Sequence, residues 1–246
     1  MTVHFIGAGP GAADLLTLRA VRLLEAAPLC LYAGTYIGAD VLAHCGPDAR
    51  LVDTQDLDLD AITALLVEAH AEGLDVARLC SGDPSIYSTV AEQGRRLDRA
   101  GVPWDVTPGV PAYAAAAALL ARELTVPEVT QSVVLTRTHQ VSTQMPPAES
   151  LAAFARTRAT LVLHLSIRHV RRLAEELVGE YGDGCPVAVV SRAEQPDELV
   201  LRGTLADIAD QVEAEGLRQA AIIIVGWALD AEGFAESHLY SDRCRA

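Results

Sequence analysis

Three short glycine-bearing segments could hold a small ligand with main chain rather than side chains. They are Gly7-Ala8-Gly9-Pro10-Gly11-Ala12, Ser81-Gly82-Asp83-Pro84-Ser85-Ile86-Tyr87 and Thr107-Pro108-Gly109-Val110-Pro111-Ala112. Each follows a strand-like run and leads into helical sequence. Glycine at such a bend admits close approach of a ligand to the backbone, and turn amides attract polar or anionic groups. The first segment satisfies the dinucleotide pattern GxGxxG/A through Gly7, Gly9 and Ala12. That chemistry also needs an acid on the ribose about 20 residues on, where the second strand ends. Here that strand ends Leu31-Tyr32-Ala33-Gly34, and Pro10 takes an N–H out of the loop. A nucleotide-binding oxidoreductase is therefore the out-of-class alternative. In the second segment Asp83 fits an N-cap and Pro84 a first helical position. Capping explains those two residues and leaves Gly82 over, at a strand's carboxyl end.

The remaining chemistry is narrow. All 19 basic residues are arginines, which excludes a Schiff base, a Walker A lysine and a kinase-type lysine. Cys30, Cys45, Cys80, Cys185 and Cys244 are odd in number and form no CxxC, so reduced thiols are expected. The seven histidines form no HExxH or paired-ligand pattern, so no metal site is expected. Arg137 and His139 lie in a polar stretch. Arg168, Arg171 and Arg172 read as a solvated helix face, and His164, inside an apolar strand, as a core histidine.

These residues need elements to hold them. The chain has 246 residues, 50% hydrophobic and 21% charged, with net charge −14. That excludes intrinsic disorder and argues against nucleic-acid or anionic-membrane partners. The opening residues run straight into strand-like sequence, and apolar stretches fall well short of the ~18–20 residues of a membrane span. A cytoplasmic location is expected. Strands are predicted at Val3–Ile6, Leu29–Tyr32, near Leu51–Val52, at Val76–Cys80 and at Trp104–Val106. Helices are predicted between them, one capped by Asp14, one over Ile62–His70, one over Pro84–Arg99 and one over Ala112–Glu123. Such alternation implies a parallel sheet with ligands at the carboxyl ends of its strands. Beyond Leu124 come strands at Ser132–Leu135, Thr160–Leu165, Val187–Val190, Glu198–Leu201 and Ala221–Val225. Helices fall at Glu149–Arg158, Arg168–Glu180 and Leu205–Glu215. The successive strands at Val187 and Glu198 suggest an antiparallel ribbon. The expected fold class is two α/β domains, residues 1–117 with a parallel sheet and 118–246 with a mixed sheet.

Together these motifs resemble the tetrapyrrole (class III) methyltransferases. Gly7-Ala8-Gly9-Pro10-Gly11 with Leu15-Leu16-Thr17-Leu18-Arg19-Ala20 resembles the family's opening signature. Ser81-Gly82-Asp83-Pro84 and Thr107-Pro108-Gly109-Val110 are similar to its second and third cofactor loops. The resemblance continues through Thr160–Leu165, Ser191-Arg192-Ala193 and Ala221–Gly226. Further stretches look like the branch that methylates precorrin-4 at ring carbon 11: Tyr32–Tyr36, Leu135–Thr138, Ser191–Glu198 and Ser237-His238-Leu239-Tyr240. Departures exist. Ala12 stands where most members have Asp, and Leu165 stands where the sirohaem branch has Met.

The resemblance implies a homodimer with S-adenosylmethionine in a cleft between the domains. It carries cofactor contacts onto Pro10, Ser81, Gly82, Asp83, Ile86, Pro111, Ala112, Leu165 and Ala193. It implies a polycarboxylate tetrapyrrole, precorrin-4, as substrate. Arg137, His139, Tyr87 and Tyr113 are then substrate-side candidates. Methyl transfer to an electron-rich ring carbon is an in-line displacement helped by a dry, aligned site. It needs no strong acid or base, so no catalytic residue is singled out. Cobalt-precorrin-4 and uroporphyrinogen III are alternative substrates, and a non-catalytic sensor could use the same bends.

Overall fold

The computed structural model describes residues 1–138 and 144–234. The chain divides into two compact units. One comprises Met1–Ala115 with Glu194–Pro196, and the other Ala116–Ala193 with Asp197–Ala246.

The first unit holds β1 (Val3–Gly7), α1 (Leu18–Ala26), β2 (Leu29–Tyr32), α2 (Ala39–Leu42), β3 (Arg50–Asp53), α3 (Leu59–Ala71), β4 (Val76–Cys80), α4 (Val90–Ala100) and β5 (Trp104–Thr107). Its strands form one sheet in the order β3-β2-β4-β1-β5, and every pair is parallel. Register pairs Gly7 with Cys80 and Ile6 with Thr107, so β1, β4 and β5 end along one rim. Both faces are covered, as a parallel sheet requires. Val3, Phe5, Leu29, Leu31 and Val76 pack with Ile62, Leu66 and Ala69 of α3 and Leu97 of α4. Ile6, Cys30, Ala77 and Leu79 pack with Ala20 and Leu24 of α1. Thus the helices that follow β1 and β4 lie on opposite faces of adjacent strands. That is the topological switch point, where a crevice opens beyond the strand ends.

The helix starts differ from the sequence expectation. A 3-10 turn covers Ala13–Leu15, and α1 begins only at Leu18, capped by Thr17 Oγ1 accepting from Ala20 N at 3.1 Å. Asp14 is not its cap. Likewise α4 begins at Val90, not at Pro84. Asp83 instead closes a local turn onto Ser85 N and reaches Gly109, as shown below. The strands were nearer their expected bounds, and Leu29–Tyr32, Val76–Cys80 and Ala221–Val225 match theirs.

The second unit begins within α5 (Ala112–Leu120). It continues with β6 (Val133–Arg137), α6 (Leu151–Ala155), β7 (Thr160–His164), α7 (Val170–Tyr181), β8 (Pro186–Ser191), β9 (Leu199–Thr204), α8 (Ile208–Ala214) and β10 (Ala221–Val225). The sheet order is β6-β7-β10-β8-β9. Only β6 and β7 run parallel; the other pairs are antiparallel, including the β8–β9 ribbon, in which Pro186 faces Thr204. This is the mixed sheet expected. Leu161, Leu163, Val187, Val189 and Ile223 form a core with Leu173 and Leu177 of α7 and Ile208 and Val212 of α8.

The edge of the first sheet yields a test. Phe5 and Trp104 meet edge to face, with ring centroids 5.7 Å apart. Gly94 of α4 lies against the indole, and a Cβ there would sit 2.6 Å from Trp104 Cζ2. In an open helix Gly→Ala stabilises by up to about 1 kcal/mol. Here Gly94→Ala is expected to destabilise by about 1–3 kcal/mol through overpacking. The midpoint of denaturant unfolding checks the sign.

Candidate functional site

The rim of the first unit is built almost wholly of main chain. Beyond β1 and β4 the two strands stay joined through their loops. Ala8 N donates to Cys80 O at 2.8 Å, Gly9 N to Gly82 O at 3.2 Å and Gly82 N to Gly9 O at 2.8 Å. Gly9 and Gly82 reach this bridge with φ of +73° and +67°, which L side chains rarely adopt. The third bend closes on the same point. A Cβ on Gly7 would lie 2.4 Å from Gly109 N, and one on Gly109 would lie 2.4 Å from Gly82 O. Both distances exclude a methyl group against backbone. Gly82 also faces Pro111 and Ala112, its notional Cβ lying 3.7 Å from Pro111 Cα and 3.5 Å from Ala112 N.

Asp83 ties two of the bends. Its Oδ2 accepts from Gly109 N at 2.8 Å, and its Oδ1 from Ser85 N at 2.9 Å and from the Ser85 hydroxyl. Burial alone would raise this carboxyl. The bonds from the Ser85 hydroxyl and from the Gly109 and Ser85 amides outweigh burial and hold it below the usual carboxylate range. Both carboxylate oxygens are thus engaged within the unit.

Of the residues singled out from sequence, the first unit brings Pro10, Gly82, Asp83, Pro111 and Ala112 to one junction. Pro10 is buried, and its carbonyl accepts from Gln195 Nε2 at 3.1 Å. Gln195 belongs to the short segment 194–196 that packs with this unit, and no spacing pattern marks it in the sequence. Ser81 is exposed, Ile86 half-buried and Tyr87 exposed with a left-handed backbone at φ 52°. Tyr113 is half-buried on α5. A dinucleotide does not suit this rim. The helix after the glycines starts at Leu18, beyond the 3-10 turn, so no helix N-terminus abuts the loop. The nearby acid, Asp53, ends β3 rather than β2 and accepts from Gly34 N at 3.0 Å and Gln55 N at 2.9 Å.

The second unit has its own rim at the ends of β6, β7 and β8. Arg137 pairs in register with His164, and Ser191 with Ala221. Ser166, fully buried, donates to His164 O at 2.7 Å and accepts from Thr138 N at 2.9 Å, so the ends of β6 and β7 are clamped together. Arg137 is half-buried, and its Nη1 donates to Thr138 O at 3.3 Å. Burial pushes the His164 imidazole down to about 4, so it is neutral at pH 7. Leu165 stands at φ 52° and is 59% exposed. Ala193 is buried between Arg192 and Glu194, which both have left-handed backbone, at φ 49° and 62°. Non-glycine residues in this region carry strain that clusters at functional sites. Arg171 donates to Asp210 at 2.5 Å and to Glu213 at 2.7 Å on the exposed α7–α8 surface, a solvated helix face. Among the described residues no group of three or more His, Cys, Asp or Glu could hold a metal ion. No helix among them is long and apolar enough to cross a membrane. His139 and the tail Ser237–Tyr240 lie outside the described residues.

Residues 2–209 match the family described as Tetrapyrrole (Corrin/Porphyrin) Methylases. The chain is 59% identical over 241 residues to the Precorrin-4 C(11)-methyltransferase of Rhodococcus erythropolis, covering 98% of this chain and 97% of that one. Its fold is similar to that of a solved cobalt precorrin-4 methyltransferase, with TM-score 0.90 and 35% identity over 94% of this chain and 96% of the other. It is also similar to a uroporphyrin-III C-methyltransferase from Thermus thermophilus solved with S-adenosylhomocysteine. There the TM-score is 0.77 and identity 30%, over 93% of this chain and 99% of the other.

The Asp83 contacts predict a pH-dependent stability. A carboxyl held below its unfolded value of about 3.9 adds stability that is fully present above that value and is lost as pH falls through the depressed folded value. Asp83→Asn is therefore expected to cost about 1–2 kcal/mol near pH 7. The gap between the two proteins should close on acidification below about pH 4. Chemical denaturation of both at a series of pH values reads the effect.

Proposed function

Since the chain belongs to the tetrapyrrole (corrin/porphyrin) methylase family, we propose that it is the S-adenosylmethionine-dependent methyltransferase that converts precorrin-4 to precorrin-5 by methylating ring carbon 11. One observation carries the substrate: 59% identity over 98% of the chain to a relative named for that reaction. The solved relative named for the cobalt-containing substrate is 35% identical, which favours the cobalt-free precorrin. We further propose a homodimer acting in the cytoplasm, and the expected division near residue 117 as the boundary between cofactor-loop domain and second domain.

The residues present suit the cofactor. The two rims offer main-chain amides and carbonyls, small residues and one exposed leucine, with no lysine anywhere in the chain. Main chain at Pro10, Ser81, Gly82, Asp83, Pro111 and Ala112, the side chains of Ile86 and Leu165, and Ala193 are the contacts proposed. When bound, S-adenosylmethionine supplies an electrophilic methyl group on a sulfonium. The Asp83 carboxylate keeps the second and third bends at fixed separation and does not itself take part in bond making. Apolar Leu165 and Ala193 exclude water, which matters because hydration stabilises the sulfonium charge that disperses in the displacement. Fixed alignment of nucleophile and leaving group supplies several kcal/mol. Substrate binding is assigned to Arg137, with His139, Tyr87 and Tyr113. A guanidinium can take a carboxylate in a bidentate fork. In a protein of net charge −14 local arginines must overcome a repulsion that is screened over about 8–10 Å.

Two measurements test this reading. Incubation with precorrin-4, cobalt-precorrin-4 or uroporphyrinogen III and methyl-labelled cofactor, followed by NMR of the product, should place the label on ring carbon 11 of precorrin-4 with the highest kcat/KM. Label only in uroporphyrinogen, or in none, defeats the assignment. Arg137→Ala should raise KM for the tetrapyrrole about tenfold, the worth of one charge-assisted bond. It should leave S-adenosylhomocysteine affinity unchanged, and an unaltered KM removes the clamp.

A further inference from the structure

Arg78 sits in the middle of β4, the strand that leads into Ser81–Asp83, and is 8% exposed. Its register neighbours are Phe5 and Leu31, both fully buried. A buried guanidinium ordinarily has a carboxylate partner. Among the described residues none forms an ion pair with it. Its partners are neutral. Nε donates to Gln93 Oε1 at 3.3 Å and Nη1 to Thr54 Oγ1 at 3.2 Å.

Both partners pass the contact on. Gln93 Nε2 donates to Thr89 Oγ1 at 2.8 Å, and Thr54 Oγ1 donates to Tyr32 O at 2.9 Å. Tyr32 ends β2, Thr54 follows β3, and Thr89 closes the segment 81–89 just before α4. A single line of side chains therefore runs from the ends of two strands to the far end of the second bend. The near end of that bend is already held by the Gly9–Gly82 bridge and by Asp83 on Gly109. Thr89 has φ 59° and Tyr87 φ 52°. A β-branched residue there is strained and stays only if its surroundings impose the conformation. The Thr89 hydroxyl makes no cap bond to α4; it accepts from Gln93.

We propose that Arg78, acting through Gln93 and Thr54, is a positioning residue for the segment 81–89, holding Thr89 in its left-handed conformation and so shaping the main chain that meets the cofactor. Arginine suits the task because its planar fork reaches acceptors on two separate elements, which an apolar residue of similar volume cannot do. The inference rests on the cofactor assignment made above.

The test is calorimetric titration of S-adenosylhomocysteine into the full chain and four variants. Thr89→Gly relieves the backbone strain and cuts the tie to Gln93. It should weaken binding about five- to tenfold, the worth of one hydrogen bond, without lowering the melting temperature. Thr89→Asn tolerates the same backbone region and restores an acceptor for Gln93, so it should recover affinity to within about twofold of the starting protein, since capture of the amide is the only thing it replaces. Arg78→Met should weaken binding by the same factor as Thr89→Gly, and the double variant no further, because both cut one line of contacts. Thr89→Gly binding as tightly as the unaltered protein overturns the proposal, as do losses that add independently or that follow the melting temperature. Those outcomes leave the cofactor assignment standing. Failure of the unaltered protein to bind S-adenosylhomocysteine overturns the assignment and the positioning role together.

Discussion

Gly7, Gly82 and Gly109 meet with less room between their backbones than a methyl group occupies. Everything at the first unit's rim depends on that contact. It lets the loop after β1 continue the ladder with the loop after β4 through Gly9 and Gly82, and it brings the loop after β5 against both. Side chains at these positions would push the three bends apart. Polar binding groups at such a rim are then main-chain amides and carbonyls, whose positions are set by the sheet and not by rotamers. A rim of that kind does not need a large repertoire of reactive side chains. The reaction proposed for this chain does not need one either, since displacement at a sulfonium methyl asks for alignment and dryness more than for acid or base.

Much of this architecture was legible in the sequence because apolar strand runs alternate with amphipathic helices. Val3–Gly7, Val76–Cys80 and Ala221–Val225 are each almost wholly buried, and short, mostly apolar runs with small residues at their ends are the mark of such strands. The antiparallel ribbon followed from two strands with no helix between them. Helix starts were harder. Asp14 and Asp83 each look like caps, yet Thr17 caps α1 and Asp83 reaches 26 residues along the chain to Gly109. A local capping rule cannot see a partner delivered by tertiary packing.

The glycine bends were visible as candidates, and their physical roles only partly so. Gly82 reads in sequence as a place for a ligand to approach, but Gly7 and Gly109 exist for the approach of loops to each other. Arg78 was hidden for the opposite reason. Inside Val76-Ala77-Arg78-Leu79-Cys80 it reads as an interruption in a buried strand, and its neutral partners Thr54 and Gln93 lie 24 and 15 residues away. Nothing in periodicity announces a hub of that sort. The strained backbones at Leu165, Arg192 and Glu194 were equally silent, since each is a residue type that gives no warning of a left-handed conformation.

The double hydrogen bond between Gly9 and Gly82 locks the lengths of two loops that are far apart in the chain. One residue added or removed between Gly7 and Gly9 would slide the first loop out of step with the second, because pairing along a ladder has a fixed repeat. Lengthening is tolerated at surface turns such as those around Gly38 or Gly184, where nothing crowds the backbone. Insertions and deletions accumulated during divergence should therefore spare the first two bends and collect at such turns. The same bookkeeping tells an engineer where a tag or a fused domain can enter without disturbing the rim.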